Sequence, residues 1–274
     1  MIKLSSRVAK ALYRTTLILF VSIATVSCAK NKDVLVTEIG VSSPKGSTSK
    51  PTKAKDFYVQ GQQNHIKGNQ QGAISSYTKA ISLNPNFAAA YNSRGLVHFD
   101  MGDKQKAVDD YSEALRLNPN DPIAYNNRGD ARAAQGDRNG AIDDYEQAIR
   151  LAPNFAQAYN NKGNAHAAQG DRNGAIDDYS QAVRLNPKYA VAYNNRGNAR
   201  AAQGELPGAI EDYNQAIRLN KSFAAAYNNR GNAYAAQGDK QAAITDLQQA
   251  ANIFQKQNNQ QLYEQVIENL KEIQ

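Results

Sequence analysis

Small and aromatic residues recur along most of the chain at a fixed interval of 34 residues. In the fourth copy, Ala175, Tyr179 and Ala182 follow one another at steps of four and three, the spacing of one stripe on an α-helix. Tyr159 and Gly163 are also four residues apart and mark a stripe on a preceding helix. The pattern therefore predicts two short helices in each copy.

Turn-forming residues separate the two predicted helices. Gly170 tolerates the left-handed conformation that ends a helix, and Asp171 is a good residue to cap the next one. Pro187 cannot continue a helical hydrogen-bond ladder and ends the second helix. Each copy is therefore expected to fold as an antiparallel helical hairpin, in which Gly163 lets the helices approach closely.

The copies resemble the tetratricopeptide repeat. The shared marks are an aromatic residue, Gly, Ala, a second aromatic residue, Ala and Pro at the spacing seen in the fourth copy. The repeating glycines are Gly61, Gly95, Gly129, Gly163, Gly197 and Gly231. The resemblance implies an all-α fold, an α-solenoid that winds as a right-handed superhelix of about six helix-turn-helix units.

The repeats are assigned to most of the chain after residue 53. The six units are 54–87, 88–121, 122–155, 156–189, 190–223 and 224–257. The following segment, 258–274, lacks the glycine, but Leu262, Val266, Ile267 and Leu270 give it a wide apolar face. Because the last unit of a solenoid must cover its exposed core, we expect this segment to be a capping helix.

The net charge of +7 is confined to the beginning of the chain. Residues from 56 onward contain 22 basic and 23 acidic residues, so the repeats have no overall positive field. Sequence-independent binding to nucleic acid requires such a field. We therefore expect no nucleic acid among the partners.

The first residues resemble an export signal. Residues 1–28 combine four basic residues with a short apolar run from Leu17 to Val26, about half the length that spans a bilayer. Cys28, the one cysteine of the chain, follows directly and resembles the lipidated cysteine of a bacterial lipoprotein. Cleavage after Ala29, which would remove Cys28, and an unprocessed thiol are the alternatives.

Residues 29–53 are rich in Lys, Ser, Thr, Pro and Gly, and this composition predicts a disordered polar linker. If Cys28 is lipidated, the repeats are tethered to a membrane in the cell envelope. If Cys28 is lost with the signal, they are soluble in the periplasm or secreted. In both cases the repeats are exported.

No arrangement of residues predicts catalysis. The three histidines, His65, His98 and His166, occupy different repeats, whereas a zinc site needs three or four converging ligands. Acidic doublets such as Asp177/Asp178 recur in the middle repeats, and neighbouring side chains on a helix diverge. We expect no enzymatic activity, metal, cofactor or small-molecule substrate.

A basic residue stands before most of the repeat glycines, where the family usually has Leu. Arg196 and Arg200 are four residues apart and should repel each other on a helix. We expect the arginine stems to pack on tyrosine rings and the guanidinium groups to pair with acidic doublets, Asp177/Asp178 in the case of Arg196. A basic groove for an acidic ligand is the alternative.

Asparagines repeat three residues before and one residue after the glycines, on one line of the first helix. In the tetratricopeptide repeat this line faces the concave channel, and an Asn side chain offers both donors and an acceptor. The predicted peptide-binding residues are Asn92, Asn126, Asn160, Asn164, Asn194, Asn198, Asn228 and Asn232. Hydrogen bonds that join only neighbouring helices are the structural alternative.

Together these features predict a non-catalytic protein–protein interaction scaffold. It would bind other proteins or extended peptide segments in the concave groove, and it would be exported and tethered to a membrane. A lipoprotein of pilus or envelope assembly, similar to a pilotin, is one alternative. A substrate-binding accessory arm of a peptide-modifying enzyme is an alternative of another class.

Overall fold

The computed structural model describes residues 52–273. These residues form thirteen α-helices and no β-strand. Cys28, the predicted signal segment 1–28 and nearly all of the predicted linker lie outside the described residues. Their export and anchoring therefore stay predictions. Among the described helices, none combines the length and the apolar character that crossing a membrane requires.

Twelve of the helices form six antiparallel pairs, which we number hairpins 1 to 6. The pairs are α1 (Ala54–Ile66) with α2 (Gln70–Leu83), α3 (Ala88–Asp100) with α4 (Lys104–Leu117), α5 (Pro122–Gln135) with α6 (Arg138–Leu151), α7 (Ala156–Gln169) with α8 (Arg172–Leu185), α9 (Ala190–Ala202) with α10 (Leu206–Leu219), and α11 (Ala224–Gln237) with α12 (Lys240–Lys256). The thirteenth helix, α13 (Gln260–Ile273), follows hairpin 6.

The predicted turn residues end and begin the helices in hairpin 4. Gly170 has a φ of 86° and ends α7, and the side chain of Asp171 accepts a hydrogen bond from the backbone N–H of Gly174 at the start of α8. In hairpin 5, where Lys221 replaces the usual proline, α10 still ends at Leu219. Proline is therefore not needed to stop the second helix.

In five of the six hairpins the repeat glycine lies against the tyrosine of the second helix, and in hairpin 6 Gly231 lies against Leu247. A Cβ atom added to Gly163 would lie 2.7 Å from Cε1 of Tyr179, too close for any real contact. Tyr179, Ala175 and Ala182 are almost completely buried. The small residues thus let the two helices approach until the tyrosine ring fills the space between them, as the sequence predicts.

The chain divides into two compact units. Hairpins 1 to 3 belong to a unit that ends at Pro153, and hairpins 4 to 6 with α13 belong to a unit that begins at Asn154. Within the second unit, α13 packs Val266 and Leu270 against Leu247, Ile253 and Phe254 of hairpin 6. This helix covers apolar side chains that would otherwise meet water. The all-α solenoid class predicted from the repeats is confirmed.

Candidate functional site

The asparagines that lie three residues before the glycines are buried in four hairpins. Asn160 and Asn194 have no exposed side-chain surface, and Asn126 and Asn228 are 1% and 4% exposed. Asn92, in hairpin 2, is half-buried. The first predicted row of binding residues is thus mostly inside the protein.

In the second unit, these asparagines join consecutive hairpins. Asn195 of α9 donates from Nδ2 to the Oδ1 atoms of Asn160 and Asn164 on α7, at 3.1 and 3.2 Å. One hairpin later, Asn229 makes the same pair of bonds to Asn194 and Asn198, at 3.0 and 2.9 Å. We call these bonds the amide ladder. They hold the first helices of hairpins 4, 5 and 6 in register.

Tyrosine hydroxyl groups of the second helices also donate hydrogen bonds to the amide ladder. Tyr179 donates to Oδ1 of Asn164 at 2.8 Å, and Tyr213 donates to Oδ1 of Asn198 at 2.9 Å. Burial raises the pKa of both tyrosines far above its usual range, so their hydroxyl groups stay protonated. The Oδ1 atoms of Asn164 and Asn198 therefore each accept two hydrogen bonds.

The Nδ2 groups of Asn164 and Asn198 are left without a hydrogen-bond partner within the described part of the chain. Both side chains are half-buried, and Ala168, one turn after Asn164, is exposed. An amide nitrogen carries two N–H donors. The two half-buried residues thus have donors available and no available acceptor, at equivalent positions on neighbouring helices.

The amide ladder ends at hairpin 6. Asn228 donates to Oδ1 of Asn229, but its own buried Oδ1 has no hydrogen-bond partner in residues 52–273. Leu247 replaces the tyrosine of the earlier hairpins, and Asn232 consequently receives no hydroxyl bond. The next residue in register is Tyr263 of α13, which packs against the apolar cluster instead.

The first unit contains a different version of the same arrangement. Asn127 donates to Oδ1 of Asn92 at 3.3 Å, and Asp130 stands where hairpins 4 and 5 have Asn164 and Asn198. Tyr145 donates to the carboxylate of Asp130 at 2.8 Å. Burial raises the pKa of Asp130 to about 7, and the tyrosine hydrogen bond partly opposes this shift. The sequence marks this difference by one acidic residue in a row of amides, and we did not predict its effect.

The structure corrects the expected exposure of the asparagines. Asn126, Asn160, Asn194 and Asn228 are inside the protein, and the ladder occupies the oxygens of Asn164 and Asn198. A ligand can reach the free donors of Asn164 and Asn198 and the side chain of Asn232, all of which are half-buried. The peptide-binding role of the whole row stays a prediction, and these three residues and the half-buried Asn92 are the ones exposed enough to perform it.

The basic residues before the glycines form the expected contacts with tyrosines and aspartates. The guanidinium carbon of Arg196 lies 5.5 Å from the centre of the Tyr193 ring, and its nitrogens bind Asp212 at 2.6 Å. Arg200 binds the same carboxylate at 2.8 Å. Two cations therefore share one buried carboxylate, whose attraction for both offsets their mutual repulsion.

The acid that we named for Arg196 was wrong. Asp212 lies on the second helix of the same hairpin, whereas Asp177 and Asp178 belong to the preceding one. Toward that preceding hairpin, Arg196 donates instead from Nη1 to the Oγ of Ser180, at 3.2 Å. The same intrahairpin pairs are Arg94–Asp110, Arg128–Asp144, Lys162–Asp178 and Arg230–Asp246.

Comparison with protein families decides the assignment of the repeats. A family model described as "TPR repeat" matches residues 61–102, 129–170, 163–204 and 197–238, which is more than half of the chain. Two models described as "Tetratricopeptide repeat" match residues 88–121 and 224–256. The chain belongs to the tetratricopeptide repeat family.

Solved structures of this family have the same fold. The crystal structure of MamA is 26% identical, with a TM-score of 0.55, and the match covers 60% of this chain and 96% of MamA. YrrB, described as a TPR protein with an unusual peptide-binding site, is 24% identical over 65% of this chain and 91% of YrrB, with a TM-score of 0.53. PilW, described as a widely conserved type IV pilus biogenesis factor, is 18% identical over 73% and 93% of the two chains, with a TM-score of 0.68.

A search of the curated proteins found no match. The identities to YrrB and PilW are low enough that these two structures show the fold alone. The family membership and the structural likenesses support a protein–protein interaction scaffold.

Proposed function

We propose that this protein is a non-catalytic scaffold that binds extended peptide segments along the first helices of hairpins 4, 5 and 6. One observation carries the proposal. Asn164 and Asn198 occupy equivalent, half-buried positions on neighbouring helices, and the amide ladder fixes their orientation while their Nδ2 donors remain unused. Such prearranged donors suit a ligand with a repeating backbone, because little side-chain freedom is lost on binding.

The expected affinity is modest. A hydrogen bond contributes about 0.5–1.5 kcal/mol to binding after water has been displaced. Two amides and the contacts around them, after the ligand has been ordered, should give a dissociation constant of roughly micromolar order or weaker. The protein would therefore hold its partner weakly and reversibly.

Site-specific photo-crosslinking tests the location of this surface. A photoreactive amino acid replaces Ala168 in the full chain, and a control variant carries it at Asp177, an exposed residue of α8. The probe is a reduced, carboxymethylated polypeptide that has no stable fold. We expect crosslinks from position 168 and none from position 177. Equal labelling at both positions, or none at either, would contradict the proposed surface.

We also propose that the scaffold is exported and tethered to a membrane through Cys28. The support is the order of the first residues, in which Cys28 follows four basic residues and a short apolar run. Two or more acyl chains hold a protein firmly, whereas one chain binds marginally. The wild-type protein should remain with membranes in high salt, and Cys28→Ser should release it or leave it unprocessed. Release of the wild type by salt alone would contradict lipid anchoring.

The alternatives of pilus assembly and of an enzyme's accessory arm gain no specific support. The likeness to PilW is one of fold at 18% identity, and it does not extend to a partner.

A further inference from the structure

The polarity of the amide ladder restricts the kind of peptide that fits it. Resting on the proposed function above, we propose that the bound segment is a proline-rich chain in the polyproline II conformation. Its backbone carbonyl oxygens, three residues apart, would accept hydrogen bonds from the Nδ2 groups of Asn164 and Asn198.

The first step is the direction of the hydrogen bonds. The oxygen of Asn164 is filled by Tyr179 and Asn195, and the oxygen of Asn198 is filled by Tyr213 and Asn229. The surface at these two residues therefore offers donors and no acceptor. An ordinary peptide needs partners for its N–H groups as well as for its carbonyls, whereas proline has a carbonyl and no N–H.

The second step is spacing. Packed helices lie about 8–10 Å apart, and α7 and α9 are direct neighbours because Asn195 bonds to Asn160 across them. A polyproline II chain rises ~3.1 Å per residue with three residues per turn, so every third carbonyl points the same way at a repeat of about 9.3 Å. A β-strand repeats its orientation every two residues, at ~6.6 Å, which does not match the helices.

The third step is the surroundings of the two amides. The side chains one turn onward are Ala168, which is exposed, and Ala202, which is half-buried, so the surface has room for pyrrolidine rings. The nearest basic residues in sequence are committed elsewhere, since Lys162 binds Asp178 and Arg196 binds Asp212. Neutral carbonyl oxygens therefore suit this surface better than a carboxylate, which would need a cation.

Hairpin 3 supplies the design of a matched variant. Asp130, at the position of Asn164 and Asn198, still accepts a hydrogen bond from its tyrosine. At pH 9, well above the pKa of about 7 that Asp130 has, Asn164→Asp together with Asn198→Asp should thus keep the bonds from Tyr179, Tyr213, Asn195 and Asn229 and replace the free donors by acceptors. Circular dichroism checks that the variant retains its helices.

The experiment measures binding of two labelled nine-residue peptides to the full chain by fluorescence anisotropy. One peptide is all proline, and the other alternates alanine and serine. We expect the wild type to prefer the proline peptide and the double variant to bind it about 30-fold more weakly, the effect of two lost hydrogen bonds.

Three outcomes would overturn the inference. If the wild type prefers the alanine–serine peptide or binds both equally, the polyproline conformation is wrong while peptide binding stands. If it binds neither, and photo-crosslinking at position 168 also fails, the proposed function falls as well. If the folded double variant binds the proline peptide like the wild type, the donors of Asn164 and Asn198 are not the contact. The preference of the wild type alone decides the case if the variant unfolds.

Discussion

Hairpin 6 has two neighbours, and it packs against them in different ways. Toward hairpin 5, Asn229 places its amide nitrogen between the oxygens of Asn194 and Asn198. Toward α13, Asn228 and Asn232 are in the same register, but Tyr263 stands where the donor would be, and Leu247 replaces the tyrosine. The boundary with hairpin 5 combines amide bonds with apolar contacts, such as those of Ile217 with Ala226, whereas the ladder does not continue to α13 and an apolar cluster covers that boundary.

The difference shows that two tasks in a repeat protein are met by different contacts. Some contacts align one hairpin with the next, and others cover the apolar surface at the end of the array. Amide bonds require a donor and two acceptors at fixed positions, so they specify which hairpin surface fits the next one. Apolar contacts are less selective, and they suffice for a helix that only has to exclude water. Because the ladder ends at this boundary, the buried Oδ1 of Asn228 finds no hydrogen-bond partner among residues 52–273.

Removing α13 should have the largest effect, because it deletes the apolar boundary. A chain that ends at Gln257 exposes Leu247, Ile253 and Phe254, each now less than a tenth exposed. Burial of a large apolar side chain contributes about 1.5–3 kcal/mol, so we expect a loss of about 5 kcal/mol in the free energy of unfolding. Hydrogen exchange should become fast in hairpin 6 and stay slow in hairpin 4. Unchanged protection in hairpin 6 would show that α13 is not a cap.

Replacing the ladder asparagine at each boundary compares the two directly. Asn194→Leu removes a buried acceptor that Asn229 uses, and it should cost about 2 kcal/mol in urea unfolding. The control, Asn228→Leu, loses the equivalent donor bond to Asn229, but its oxygen has no partner in the described residues, so it should cost about 1 kcal/mol less than Asn194→Leu. Equal costs would mean that the amide bonds do not distinguish the boundaries.

Replacing the repeat glycine with alanine tests the packing of the tyrosine whose hydroxyl group bonds to the amide ladder. In Gly197→Ala the new Cβ would lie 2.6 Å from Cε1 of Tyr213, whereas in Gly231→Ala it would lie 3.0 Å from Cγ of Leu247. Overpacking a core costs about 1–3 kcal/mol, and alanine returns up to about 1 kcal/mol of helix propensity in both variants. The free energy of unfolding, measured by thermal denaturation, should therefore be about 1 kcal/mol lower for Gly197→Ala than for Gly231→Ala. The reverse order would contradict this account of the tyrosine.

Titration of Asp130, which stands in hairpin 3 where hairpins 4 and 5 have a ladder asparagine, should give the smallest effect. Because the pKa of Asp130 is raised to about 7, folding favours its protonated form, and its contribution is lost as pH rises through 7. One pKa unit corresponds to about 1.4 kcal/mol, but Asp130 is only half-buried by surface area, so we expect a fall of about 1 kcal/mol between pH 4 and pH 8. Asp130→Asn introduces the residue that hairpin 5 has at this position, and it should flatten this part of the pH profile. An unchanged slope in the variant would assign the pH dependence to other groups.

The sequence alone determined the local features of the fold. The 34-residue period predicts the helix pairs, and Gly170 and Asp171 predict the end of α7 and the start of α8. The close contact of Gly163 with Tyr179 was also predictable. These features depend on backbone conformation and on side-chain size, which each repeat carries within itself.

Only the tertiary structure decided how the polar side chains are used. Asn164 could accept, donate or do both, and its accepting role depends on Tyr179 and on Asn195 from the next hairpin. Likewise, two acidic doublets, Asp177/Asp178 and Glu211/Asp212, are candidates for Arg196 in the sequence pattern, and packing selects Asp212. A polar group can satisfy its hydrogen bonds with several partners at similar free energy, so the choice is made where helices from different parts of the chain meet.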